Sequence, residues 1–385
     1  MLQAPPLALY LHFPWCVQKC PYCDFNSHKA PSAIPEERYV DTLLEDLALD
    51  LQALNSSREP RPLVSIFMGG GTPSLFSPDA IERLLAGVKS MLPVQANMEV
   101  TLEANPGTIE HGQFSAYRAA GVNRVSLGAQ SFQPEQLKKL GRIHGSGDIA
   151  ASVEELRLAG IDNFNLDLMY GLPDQTPEQA LQDLQQAIAL APAHLSHYQL
   201  TLEPGTAFYH RPPALPDGEE CYEMQLQCQE LLAKAGYVQY EVSAYARSGH
   251  QSIHNRNYWE FGDYLGLGAG AHGKLTTNGQ VVRTERRKQP REYLHTDVSG
   301  RRTLRSVDSG ELPFEFMLNS LRLVAGFEAV LFESRTGLSR NAIAAPLAEA
   351  QSRGLLESMP GGWRPTELGR RFLNDLMSLF LSEAD

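Results

Sequence analysis

Cys16-Val-Gln-Lys-Cys20-Pro-Tyr-Cys23-Asp-Phe-Asn-Ser-His28 follows closely on the apolar run LALYLHF (7–13). Three thiols spaced C-x₃-C-x₂-C share one short loop, and each can give a terminal sulfur to one iron of a cubane [4Fe–4S] cluster. Three ligands for four irons leave one iron open to a further molecule. A Cys₃His zinc site completed by His28 uses the same residues and is the competing reading. The chain has five cysteines, an odd count that fits metal binding in a reducing compartment better than a disulfide framework. Cys221 and Cys228 lie seven apart on a helix predicted over 219–236, share one face, and are expected in the core.

LALYLHF is the first of six short apolar runs. The others are LVSIFM (63–68), MEVTLEA (98–104), RVSLGAQ (124–130), NFNLDLMY (163–170) and HLSHYQL (194–200). Helical periodicity fills the spaces between and after them, over 36–54, 78–91, 110–120, 133–140, 148–159 and 177–190. Ser77-Pro78 and Thr176-Pro177 are start signals, with Pro at the first helical position. Gly121 and Gly160 stand where a glycine just past a helix end is expected. Six strand–helix alternations predict parallel βαβ units. They are two short of a full (β/α)₈ barrel, so the expected fold is α/β, a partial (β/α)₆ TIM-type barrel with ligands at the carboxyl ends of its strands.

After about residue 205 the rhythm breaks. Residues 237–285 are rich in Gly, Tyr and Asn, and from Leu312 the pattern is mainly helical. A GGWRP turn (361–365) falls between helices near 340–353 and 366–380, as in a small winged-helix-like domain. The expected division is a partial barrel with the cluster loop (1–205), an extension and connecting region (206–305), and a C-terminal helical accessory domain (306–385).

A net charge of −12 argues against a nucleic-acid partner, whose phosphates need a cationic surface. The exception is 283–305, where eight Lys/Arg stand against Glu285, Glu292 and Asp297, a local net of +5. That stretch reads as a solvated hairpin surface or as a dock for an anionic ligand or membrane surface. No apolar run approaches the roughly 18 residues of a spanning helix. The N-terminus lacks the basic segment and cleavage site of a secretory signal, so a cytoplasmic address is expected.

The spacing of Cys16, Cys20 and Cys23, with Tyr22 between the last two, resembles the signature of the radical S-adenosylmethionine (SAM) superfamily. Met68-Gly69-Gly70-Gly71-Thr72-Pro73 after the second strand is similar to the glycine motif of that superfamily. The resemblance implies a [4Fe–4S] cluster on the three cysteines, with SAM chelating the open iron through its amino and carboxylate groups. An electron from the cluster then breaks the S–C bond of SAM and releases a 5′-deoxyadenosyl radical. It also implies SAM contacts at Tyr10, Tyr22, Gly70, Gly71, Thr72, Glu103, Gln130, Arg142 and Asp167.

Within the superfamily the whole chain resembles the branch of oxygen-independent coproporphyrinogen III oxidases. PFEFMLNSLRL (313–323) with Gly326-Phe327 looks like the accessory domain of that branch. The oxidases carry a fourth cysteine two residues after the third, where this chain has Phe25, and a longer N-terminal extension. CPYCDFNSH (20–28) and His254-Asn255-Arg256-Asn257-Tyr258-Trp259 are similar instead to the HemW-type haem chaperones. That likeness implies haem as cargo, with His254, Tyr258 and Trp259 as haem contacts. It also implies transfer to apo-haemoproteins, respiratory ones at the inner face of the membrane among them, and a homodimer. Radical chemistry on a porphyrinogen is the alternative that an intact SAM apparatus keeps open.

Overall fold

The computed structural model describes residues 2–54, 61–107 and 113–381. Alternation in the first strand explains its place: Leu7, Leu9, Leu11 and Phe13 are buried against helices, while Tyr10 and His12 point to the other face. The barrel strands are β1 (Leu7–Phe13), β2 (Leu63–Gly70), β3 (Val94–Ala104), β4 (Arg124–Gln130), β5 (Phe164–Tyr170) and β6 (His194–Gln199). All five neighbouring pairs in this series are parallel.

The helices between them form as expected. Ser77 Oγ accepts from the Ala80 N–H at 3.3 Å and opens the helix Pro78–Met91, which buries Ile81, Leu84, Leu85 and Val88. Thr176 and Gln179 cap each other at the start of Pro177–Ala189. Gly121 and Gly160 both sit at positive φ just past helix ends. The helix expected over 110–120 is seen as Gln113–Ala120; positions 110–112 lie outside the described residues.

The sheet is larger than the six-strand expectation. Residues 206–305 add β7 (Val238–Glu241), β8 (Ala244–Ala246), β9 (Asp263–Leu267), β10 (His272–Thr277), β11 (Gln280–Arg286) and β12 (Arg302–Ser306). The order is β12-β11-β10-β9-β1-β2-β3-β4-β5-β6-β8-β7. β9 pairs parallel to β1 and makes a seventh parallel strand. Antiparallel hairpins cover both edges, which blunts the exposed ladders of an open barrel.

The +5 stretch is largely spent on this framework. Arg286 lies fully buried between Asp46 (2.7 Å) and Asp50 (2.6 Å). Arg301 pairs with Glu45, Arg302 with Asp50, Arg283 with Glu315 and Arg305 with Glu311. Arg287, Lys288 and Arg291 remain on the surface.

A second apolar cluster gathers Phe316, Phe327, Phe332, Ile343, Leu347 and Leu376. Its three-stranded sheet is β13 (Phe327–Glu328), β14 (Leu356–Met359) and β15 (Gly362–Pro365) in the order β13-β15-β14, a wing beside short helices. The GGWRP stretch is therefore more than a turn. Gly361 takes the left-handed position, and Trp363 packs on Phe327 with ring centroids 5.8 Å apart, which pulls 362–365 into the sheet. The helix expected over 366–380 is broken at Phe372, which leaves helical dihedrals so that Leu376 and Phe380 reach the core. No helix among the described residues is long and apolar enough to cross a membrane.

Candidate functional site

A cavity of about 420 Å³ opens at the carboxyl ends of the strands. Cys16, Cys20 and Cys23, each partly exposed, line it from one side. The loop turns tightly, with the Cys23 N–H donating to the Cys20 carbonyl at 3.2 Å, and its two ends pair at Cys16 and Lys29. Burial raises the thiols of Cys16 and Cys23 above their ordinary value. His28, the fourth ligand of the zinc reading, is not among the residues lining the cavity, and its Nε2 lies 3.2 Å from Asn26 Oδ1. The three thiols line the cavity without it, the ligand set of a cubane with one open iron.

Opposite the cysteines, the inward residues of successive strands converge. Glu103 accepts from the Gly70 N–H at 3.1 Å, and burial first and Asp167 second push its carboxyl up to about 8. Asp167 accepts from Asn165 Nδ2 (2.8 Å) and Ser126 Oγ (3.2 Å), and burial raises it too. Gln130 sits where the β4–β5 register shifts, at φ 66°, a left-handed conformation that costs a non-glycine residue about 1–2 kcal/mol. That kink lets its side chain accept from the Tyr198 hydroxyl at 2.7 Å. Arg142 donates to Cys20 Sγ at 3.5 Å, to the Gly128 carbonyl at 2.8 Å, and to Asn105. It ties the cluster loop to the barrel rim.

The glycines have a steric reason. A Cβ on Gly70, which sits at φ 106°, would lie 2.2 Å from the His12 ring; one on Gly71 would lie 2.6 Å from the carbonyls of Phe13 and Trp15. Of the expected SAM contacts, Tyr22, Gly70, Gly71, Glu103, Gln130, Arg142 and Asp167 line the cavity. Tyr10 and Thr72 do not. The Tyr10 hydroxyl bonds His12 Nδ1 at 2.9 Å inside the barrel, and Thr72 accepts from Asn105 Nδ2 behind the cluster loop. Asn105, Ser126, Ser196 and Tyr198 also line the cavity; neither the motifs nor the resemblance points to them, and inward alternation along the barrel strands is the signal that could have.

The structure brings His254, Tyr258 and Trp259 to a different place. The helix Ile253–Trp259 plugs the amino end of the barrel, and Glu99 accepts from the N–H groups of Ile253 and His254 at 3.1 Å each. His254 is 1% exposed. Its Nδ1 meets Ser65 Oγ at 2.9 Å and its Nε2 the Tyr258 hydroxyl at 2.8 Å, so both ring nitrogens are occupied. Trp259 lies under the Arg322 guanidinium at 4.4 Å, and its carbonyl accepts from Ser320 of the C-terminal region. In this arrangement the motif closes the barrel floor and fastens the accessory helices.

The buried histidines set a pH dependence. Burial lowers His144 and His197 to about 4 and His254 to about 3. Between the ordinary value of 6.5 and those values the unfolded chain binds protons that the folded chain refuses, so stability falls as pH drops. Glu103 acts the other way, since the folded chain keeps its proton up to about 8 while the unfolded chain releases it near 4.5. Melting temperature of the metal-free chain is therefore expected to fall on both sides of an intermediate pH. Glu103→Gln should flatten the alkaline side only; an unchanged alkaline slope would contradict the assignment.

Comparisons with known proteins agree with this architecture. Residues 10–187 match the model of the radical SAM superfamily, and 307–372 that of the HemN C-terminal domain. Coproporphyrinogen III oxidase (HemN) from Escherichia coli superposes with a TM-score of 0.81 at 23% identity, covering 99% of this chain and 91% of that one. At that identity the likeness speaks to the fold. The heme chaperone HemW of Haemophilus influenzae is 48% identical over 384 residues, and that of Escherichia coli 49% over 386, with 100% of each chain covered.

The chain belongs to the HemW family.

Phe25, where the oxidase pattern has a fourth cysteine, is 58% exposed and lines the cavity. Membership sets the cofactors that the superfamily implies, SAM and a [4Fe–4S] cluster, against the cavity just described.

Proposed function

We propose that this chain is a haem chaperone that carries a [4Fe–4S] cluster on Cys16, Cys20 and Cys23, binds SAM, and passes haem to apo-haemoproteins. The observation that carries this reading is the 48% and 49% identity to the two HemW chaperones over the full length of every chain. In the cavity, Glu103 and Asp167 are the acceptors for the SAM amino group and ribose, and Arg142 the partner of its carboxylate. Gly70 and Gly71 keep the wall free of side chains. When bound, the cluster supplies an electron at its open iron. The chain's own part is to hold three sulfurs on one wall and a set of acceptors on the other. Respiratory apo-enzymes at the inner face of the membrane are the clients we infer, and a homodimer the working form.

A second reading keeps the oxidase chemistry. It is favoured by one observation, that seven of the expected SAM contacts do line a single cavity. The two readings part in one experiment. The chain is reconstituted anaerobically, titrated with haem, and assayed in parallel for SAM-dependent decarboxylation of coproporphyrinogen III. Stoichiometric haem binding without decarboxylation is expected. Decarboxylation without stable haem binding would sink the chaperone and show Phe25 to be compatible with the oxidase reaction.

A further inference from the structure

Haem has an iron that takes an imidazole, a broad apolar macrocycle and two carboxylates on one edge. A receiving surface must offer a free imidazole, apolar cover and cations together. The chain has eleven histidines. His12, His144, His194, His197 and His254 are buried, His28 is half-buried with Nε2 at 3.2 Å from Asn26 Oδ1, and His111 lies outside the described residues. Four exposed imidazoles remain: His210, His250, His272 and His295.

His295 Nδ1 is engaged by the Arg291 carbonyl at 2.7 Å. His250 lies at the barrel floor, close enough to His194 to act on it electrostatically. His210 packs edge-on against Tyr209 with centroids 5.7 Å apart. His272 differs from these. Its side chain is 59% exposed, and the Glu285 carboxylate stands 3.9 Å from Nε2, beyond hydrogen-bond reach. Like His250 it acts electrostatically on a buried histidine, His12, and no hydrogen bond engages its ring among the described residues.

The surroundings of His272 supply the remaining needs. The Asn26 amide donates to the carbonyls of Ala269 and Lys288 at 2.8 Å each, so one side chain knots the cluster loop to the two segments flanking β10 and β11. The Gly270 N–H donates to the Arg287 carbonyl at 2.8 Å. Three segments thus meet at the cluster loop, whose Phe25 and Ser27 form a lip of the cavity: Phe25 to Lys29, Gly268 to His272, and Arg287 to Arg291. Phe25 offers an exposed ring. Lys29 and Arg291 have no carboxylate within ion-pair distance among the described residues, and Lys288 and Arg287 reach carboxylates only at 3.6 Å (Glu285) and 4.0 Å (Glu292), while Arg287 Nε donates to the Gly300 carbonyl at 3.0 Å. In a chain of net charge −12, this is where the cations left over from the +5 stretch stand.

Resting on the chaperone reading above, we propose that haem is received on this lip. His272 is its axial ligand, Phe25 covers an edge of the macrocycle, and Arg287 and Lys288 face its propionates. The site lies beside the cluster cavity and apart from the barrel floor that holds His254. Glu285, facing the His272 ring, can accept its second N–H once the imidazole binds iron, the usual way a carboxylate orients a ligating histidine.

The test is a hemin titration of the anaerobically reconstituted chain, read by the Soret band and by the spin state of the iron. His272→Ala is expected to weaken binding about tenfold or more, with a changed spin state that added imidazole restores. Arg287→Glu with Lys288→Glu should weaken binding and reduce its dependence on salt. His210→Ala should bind as the wild type does, and an unchanged cluster absorption shows each variant to be folded. If the wild type binds haem and His272→Ala matches it in affinity and spectrum, the lip is not the site. Loss in His254→Ala alone would place the iron at the barrel floor and overturn the proposal. If the wild type does not bind haem, the chaperone reading itself fails, and the lip with it.

Discussion

Cys20→Ala is expected to strip the chain of its cluster and, with it, of SAM binding. Each protein-ligated iron of the cubane takes one thiolate, so two cysteines leave two irons without a protein ligand. The loss is compounded at this position because Arg142 donates to Cys20 Sγ at 3.5 Å and links the loop to Gly128 on β4. Iron and sulfide analysis after anaerobic reconstitution should fall from about four of each per chain to below about one. SAM retention in equilibrium dialysis should disappear in step. Cys221→Ala is the control, since that thiol is buried and does not line the cavity, and its variant should load fully. A Cys20→Ala chain with full iron would mean that another side chain replaces the lost sulfur. Because burial raises the Cys16 and Cys23 thiols, loading must also take protons off them, and reconstitution should improve as pH rises.

Arg286→Ala is expected to cost about 3–5 kcal/mol of stability, the penalty for leaving buried carboxylates without their cation. Arg286, Asp46 and Asp50 are all 0% exposed at their side chains, and the pairs span β11 and the helix Glu36–Leu54. Burial already raises the Asp50 carboxyl above its ordinary value, against the pull of Arg286 and Arg302. Without Arg286 that burial cost stands with only Arg302 on Asp50 and the Tyr293 hydroxyl on Asp46 to offset it. Urea unfolding followed by circular dichroism measures the change. A loss below about 1 kcal/mol would mean that water enters the gap and solvates both carboxylates, as it does around exposed pairs.

Much of the barrel and of the cluster wall was legible in the sequence because both depend on local pattern. Period-2 runs such as LALYLHF and capped helices such as Pro78–Met91 declare themselves within a dozen residues. The cysteine loop is legible for the same reason: its three thiols stand within eight residues, so sequence spacing is also spatial spacing. Glu103, Gln130 and Asp167 came from the superfamily resemblance, and the structure gathers them because inward positions of successive parallel strands converge on the carboxyl end.

What the sequence could not decide involves partners far apart in the chain. The stretch 283–305 reads as one basic run, yet Asp46 and Asp50, more than 200 residues away, neutralise its buried member, and of its exposed cations Arg305 is paired with Glu311, which leaves Arg287, Lys288 and Arg291. His254-Asn255-Arg256-Asn257-Tyr258-Trp259 shows an imidazole between aromatics but not that Ser65, Tyr258 and Glu99 will occupy it in the barrel floor. His272 gives no signal at all in sequence, because its value as a free imidazole rests on exposure and on Asn26 drawing three distant segments together. Local spacing determined the fold class and the three cluster thiols. Tertiary packing alone decided which charges and imidazoles are left free, because burial and long-range pairing set whether a polar group is satisfied or available.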